Sequence, residues 1–203
     1  SSNDRTLTLN SGTGGSIFVL GSNVGASQAL AGLTITQSNG AQFSGTVDVS
    51  DSNSGTITLT DTVDNANITF SGAVTADTFV TAAQGYDIFF NGDATFANAV
   101  TFQNTGTLTL GNNVNDNFTF NGGLTENTTG TVTLASIIDS SNDDITFGAI
   151  TLATNTQIDT NATDTTGDII IGAVTGGNNS LTLDTTTTTG SADITFTGDI
   201  NLG

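Results

Sequence analysis

The chain of 203 residues contains no cysteine, histidine, lysine, proline, methionine or tryptophan. Without cysteine there is neither a disulfide framework nor a thiolate metal site. Without histidine and lysine there is no Ser-His-Asp or Cys-His constellation, no Schiff-base lysine, no histidine zinc site and no P-loop lysine. A lysine-based intramolecular isopeptide bond is excluded too. One base, Arg5, stands against 19 acidic residues, a formal net charge of −18. Phosphate contacts need Lys or Arg, so nucleic acid is excluded as a partner. No apolar stretch approaches the roughly 18 residues that span a membrane. There is neither a signal peptide nor an initiator methionine, and the chain starts in mid-pattern at Ser1, as a processed protein or a segment cut from a longer one would. Helix signals are nearly absent; residues 24–33 offer at most a short helical turn.

What remains is rich in Thr, Asn, Asp and Gly. All the acidic residues except Glu126 are aspartate. The short Asp carboxylate bonds nearby backbone N–H groups and belongs in turns, whereas Glu favours helices. Hydrophobic residues make up 35%, low for a globular domain but sufficient where a thin core is filled by short strands whose other face stays wet.

A phrase recurs along the chain: a turn residue, an apolar-x-apolar triplet and a nearby glycine. It reads Ser16-Ile17-Phe18-Val19, Asn67-Ile68-Thr69-Phe70, Asp87-Ile88-Phe89-Phe90, Asn117-Phe118-Thr119-Phe120, Asp144-Ile145-Thr146-Phe147, Asp168-Ile169-Ile170-Ile171 and Asp193-Ile194-Thr195-Phe196. Successive copies start 51, 20, 30, 27, 24 and 25 residues apart, most steps being one unit of about 25, a period typical of solenoids and arrays. A second phrase alternates polar and apolar residues, as in Thr6-Leu7-Thr8-Leu9, Thr56-Ile57-Thr58-Leu59, Thr107-Leu108-Thr109-Leu110 and Thr131-Val132-Thr133-Leu134. Period two marks half-buried strands with Thr outside and Leu, Ile or Val inside. A third, shorter element follows glycine, as in Gly148-Ala149-Ile150-Thr151 and Gly172-Ala173-Val174-Thr175.

These observations predict an all-β chain: a parallel β-helix (β-solenoid) of about 8 coils of roughly 25 residues, a rod of about 40 Å, forming a single continuous domain over 1–203 or a segment of a longer solenoid. No linker interrupts it, although the threonine run at 185–189 reads as a loop. The alternative is a β-sandwich filament subunit with antiparallel strands. The predicted core comprises Ile68, Phe70, Val74, Leu108, Leu110, Phe118, Phe120, Leu134, Ile145, Phe147, Ile169, Ile171, Ile194 and Phe196.

Stacked coils would place Asn117, Asp144, Asp168 and Asp193 one above the next in a corner column. Carboxylates repeating at about 4.8 Å repel unless backbone N–H groups hold them or a cation is shared. Two readings follow: turn caps at each corner, or Ca²⁺, an ion suited to oxygen ligands at turns. For calcium the candidates are Asp139, Asp143, Asp144, Asp116, Asp168 and Asp193, with the clusters at 139–144 and 112–117 the densest. Outward Thr pairs on successive coils would resemble the array of an ice-binding solenoid, but their unequal intervals argue against a flat face. The Asn-x-Ser/Thr triplets at Asn67, Asn117, Asn127, Asn161 and Asn178 are expected by chance in such a composition and are not read as glycan sites.

The phrases from Gly167 to Thr175 and from Ala192 to Ile200 resemble the degenerate repeats of large bacterial surface proteins of the filamentous haemagglutinin-like and autotransporter adhesin group. The resemblance implies a right-handed parallel β-helix, secretion to the cell surface, and a non-enzymatic role as stalk, adhesin, sheath or filament, with no catalytic residues carried over. Polysaccharide lyases share the fold, but their grooves rely on basic residues that this chain lacks. As partners, the expectation is a further copy of the chain, head to tail, with surface glycans the alternative for an adhesin. If Gly203 ran into another copy, the phrase at Asp193 would meet that at Ser16 26 residues later, within the internal rhythm.

Overall fold

A computed structural model describes residues 4–51, 54–127, 130–161, 167–186 and 191–203, and within them the chain is a parallel β-solenoid with three faces. Face A carries Thr6–Asn10, Gly32–Ser38, Thr56–Thr62, Thr78–Thr81, Val100–Phe102, Leu124–Glu126, Ile145–Phe147, Ile169–Ile171 and Ile194–Phe196. Face B carries Ile17–Val19, Ala41–Phe43, Asn67–Phe70, Asp87–Phe90, Leu108–Leu110, Val132–Leu134, Ile150–Leu152, Val174–Thr175 and Ile200–Asn201. Face C carries Val47–Val49, Val74–Ala76, Ala94–Phe96, Asn117–Phe120, Ile137–Ser140, Thr156–Asp159 and Leu181–Asp184. Each strand pairs with its counterpart one coil away, always in parallel, so the antiparallel sandwich does not form. The strands make about eight turns.

The strands are short because a face holds only three or four residues in most coils before the chain turns a corner. Alternation then leaves two inward side chains and one or two outward ones, and the burial follows it closely: buried, half-buried, buried in Leu108–Leu110, Val132–Leu134 and Ile169–Ile171. Inward positions stack on their own kind. Phe43, Phe70 and Phe90 are in register and lie nearly parallel, with ring centroids 5.2 and 5.1 Å apart. Each fully buried side chain of this size contributes roughly 1.5–3 kcal/mol, and the repetition spreads that gain along the axis instead of concentrating it.

The phrase's glycine has a packing cause. Gly148, Gly172 and Gly198 occupy the same corner of successive coils, and a Cβ at Gly172 would stand 2.7 Å from the carbonyl carbon and oxygen of Gly148. Only glycine lets the backbones of neighbouring coils approach so closely.

Three expectations are corrected. The seven phrases do not share one column: those at Ser16, Asn67 and Asp87 lie on face B, Asn117 on face C, and Asp144, Asp168 and Asp193 on face A. The 30- and 27-residue intervals are one turn plus one face. Of the predicted core, Ile194 and Phe196 are exposed, at 43% and 36%, because no coil covers them; the rest are buried. Residues 24–33 form no helix; Val24 instead makes an isolated parallel bridge to Val47, with hydrogen bonds of 2.8 Å to the Thr46 carbonyl and 2.9 Å from the Asp48 N–H. Within the threonine run, residues 187–189 lie outside those described. No helix among the described residues is long and apolar enough to cross a membrane.

Candidate functional site

The corner aspartates of face A do form a column in the last three coils. Asp144 Oδ1 accepts the backbone N–H of Asp168 at 2.9 Å and of Gly167 at 3.2 Å, and Asp168 Oδ1 accepts the N–H of Asp193 at 2.8 Å. The Asp144 and Asp168 carboxylates are therefore held by the next coil's backbone. The device recurs at other corners: Asp64 accepts from Gly85, Asp93 from Asn117, Asn23 from Thr46, Asn155 from Ser180 and Glu126 from Gly148, all between 2.9 and 3.0 Å. Asn117, expected in this column, is on face C instead. Of the candidates that sequence assigned to capping or calcium, Asp144 and Asp168 thus act as staples between coils.

The remaining calcium candidates are dispersed. Asp116 Oδ2 closes its own turn by accepting the N–H groups of Asn112 at 2.8 Å and Asn113 at 3.0 Å. Asp143 borders an open groove with Asp144, Leu124 and Gly123. Asp139 stands on the outer side of face C, in register with Thr119 below and Asp159 above, and Asp159 is in register with Asp184. Burial, and after it the charge of Asp159, raises the Asp139 carboxyl above the usual range, while a hydrogen bond from the Asn117 side chain opposes the shift. Asp184, whose carboxylate accepts from the Thr186 hydroxyl and N–H, is held below its ordinary value by those bonds. Among the described residues no group of three or more acidic side chains is gathered so as to hold a metal ion. Sequence reading missed Asp159 and Asp184; the signal was an aspartate as the third residue of Ile137–Ser140 and the last of Thr156–Asp159 and Leu181–Asp184.

Outward threonines stack despite their uneven spacing in sequence. One turn takes from 18 to 27 residues, yet the excess is absorbed at corners and the strands stay in register. On face A, Thr8, Thr34, Thr58, Thr101, Thr125, Thr146 and Thr195 form a file broken by Val80 and Ile170. Over the three-residue strands it is one side chain wide, too narrow for a two-dimensional array. Face B has a different outward file in its first four coils: Phe18, Gln42, Thr69 and Phe89. Beside it lies an open groove of about 440 Å³ bordered by Ser16, Asn39, Asn65 and Asn67.

The two ends are apolar. Ile194, Phe196, Ile200 and Leu202 are 36–50% exposed, although Ile169, Ile171 and Val174, the partners of the first three one coil below, are buried. At the other end Leu7, Leu9, Ile17 and Val19 are half-buried against the core. The 26-residue step across a head-to-tail join compares phrases of different faces, Asp193 beside face A and Ser16 beside face B, so it does not by itself bring like face onto like face. Compared with protein-family models, curated proteins and solved structures, the chain matches none.

Proposed function

We propose that this chain is a non-enzymatic structural protein whose solenoid continues end to end into an extracellular, cell-surface filament, stalk or sheath. The observation that carries the reading is the repetition of three parallel ladders, in which each strand pairs with its counterpart one coil away, a geometry that a further coil extends. A parallel strand laid over Ile194–Phe196 and Ile200–Asn201 would bury those side chains and pair the free edge, the arrangement an open sheet edge invites. Leu7, Leu9, Ile17 and Val19 of a second copy provide a complementary apolar row. The net charge of −18, with a single base, keeps rod flanks from adhering sideways. The extracellular placement rests on the resemblance to bacterial surface repeats, and the non-enzymatic reading on that resemblance, which carries over no catalytic residues, and on the lack of His, Cys and Lys.

Sedimentation velocity over a wide concentration range tests the proposal. The unaltered chain is expected to form end-to-end assemblies whose mass rises with concentration, and Ile194→Asp with Phe196→Asp to remain monomeric while keeping its circular dichroism. A chain that stays monomeric throughout, or a double variant that assembles equally well, would overturn it.

A further inference from the structure

The side of the rod carries a second surface, independent of how its ends associate. Phe18, Gln42, Thr69 and Phe89 form one outward file on face B, in register from coil to coil. At the spacing of paired strands, the two rings are about 14 Å apart along the axis. Phe18 is 65% exposed and makes no ring contact, whereas Phe43 and Phe70 on the inner side of the same sheet are stacked and buried. The fold does not require an aromatic at this position, since later coils place Thr109, Thr133, Thr151 and Thr175 in the same file.

The groove beside the file is rich in unused amides. The side chains of Asn39, Gln42, Asn65 and Asn67 make no hydrogen bond to the described residues, in contrast to Asn23 and Asn155, which staple coils together. Each free amide offers donors and an acceptor. None of the residues lining the groove is charged, in a chain of net charge −18. An occupant that suits this surface must donate and accept hydrogen bonds, carry no charge, present an apolar flank to an aromatic ring, and extend along the axis. A sugar ring has hydroxyls on its rim and a C–H face suited to the electron-rich face of a phenyl group. We infer that coils one to four of face B bind a neutral, extended oligosaccharide lying along the solenoid axis, with Phe18 and Phe89 as platforms for its sugar rings and Asn39, Gln42, Asn65 and Asn67 bonding its hydroxyls.

The test is an NMR titration of the full chain with neutral hexasaccharides (cellohexaose, xylohexaose, mannohexaose and chitohexaose) and with anionic polygalacturonate. At least one neutral hexasaccharide is expected to shift the side-chain amide signals of Asn39, Gln42, Asn65 and Asn67, and polygalacturonate to leave them in place. Phe18→Ala should weaken that binding by roughly tenfold or more, with the remainder of the amide spectrum unchanged because Phe18 lies outside the core. Gln42→Ala, tested alongside, should weaken it in the same direction. No shift with any of the four at millimolar concentration, shifts elsewhere on the rod, or binding untouched by Phe18→Ala would each overturn the inference. Because these variants leave Ile194 and Phe196 intact, failure here is distinguishable from failure of end-to-end assembly.

Discussion

Asp144 and Asp168 each commit a carboxylate oxygen to the backbone of the next coil, so N–H donors offset their charge. The account predicts that a chelator leaves the thermal midpoint unchanged, and that Asp168→Ala, which frees the Asp193 N–H, costs about 1 kcal/mol; chelator-sensitive melting would contradict it. At Gly172 the constraint is steric. Gly172→Ala puts a methyl group 2.7 Å from the Gly148 carbonyl, and the coils must part, at a cost of about 1–3 kcal/mol in a denaturant titration. Tyr86, the only tyrosine, is fully buried; its hydroxyl donates to the Leu59 carbonyl at 3.1 Å and accepts from the Ala82 N–H at 2.9 Å. Burial pushes its phenol up to about 12, with the Ala82 hydrogen bond opposing the shift. The unfolded phenol ionises first, near pH 10, so the fold keeps this contribution below pH 10 and loses it as pH rises towards 12, by roughly 2–3 kcal/mol in all. No lysine or cysteine titrates in that window. Tyr86→Phe should therefore flatten the stability profile between pH 10 and 12; an unchanged slope would show that the loss has another origin.

At the scale of the strand, the local pattern and the parallel solenoid it builds were legible, and the assignment of each strand to a face was not. Alternation in Thr131-Val132-Thr133-Leu134 or Thr56-Ile57-Thr58-Leu59 announces a strand and its inner side chains because each strand carries its own period. The same pattern is used on all three faces, and the turn length varies with the corners, so nothing local distinguishes Asn117 on face C from Asp144 beside face A. The acidic file on face C is the clearest consequence, visible only once Asp139, Asp159 and Asp184 are in register. The folded carboxyl of Asp139 is raised by burial and then by Asp159, so it favours folding while protonated and opposes it as pH rises through its folded value. Asp139→Asn is therefore expected to raise stability at pH 7, by no more than about 1 kcal/mol because the group is partly exposed and screened, and to have little effect near pH 3. Melting curves at the two pH values check this, and a destabilised variant at pH 7 would refute it. The groove on face B was hidden for the same reason: Phe18, Gln42, Thr69 and Phe89 are far apart in sequence and become neighbours only through register.

Across the described residues, the solenoid is organised by repetition from coil to coil. Inward rows of Phe, Ile, Leu and Val run from coil to coil, backbone ladders tie each coil to the next, and acidic corners staple them. The interior repeats: Phe196 lies in register with Ile171 one coil before it, as the strands of earlier coils do with their counterparts. The central claim is that the solenoid continues end to end. Electron microscopy of concentrated, purified chain tests it most directly. The account predicts rods one solenoid wide, much longer than the roughly 40 Å of eight coils, with an axial repeat of about 4.8 Å running unbroken across the joins; particles that never exceed the length of one chain would contradict it.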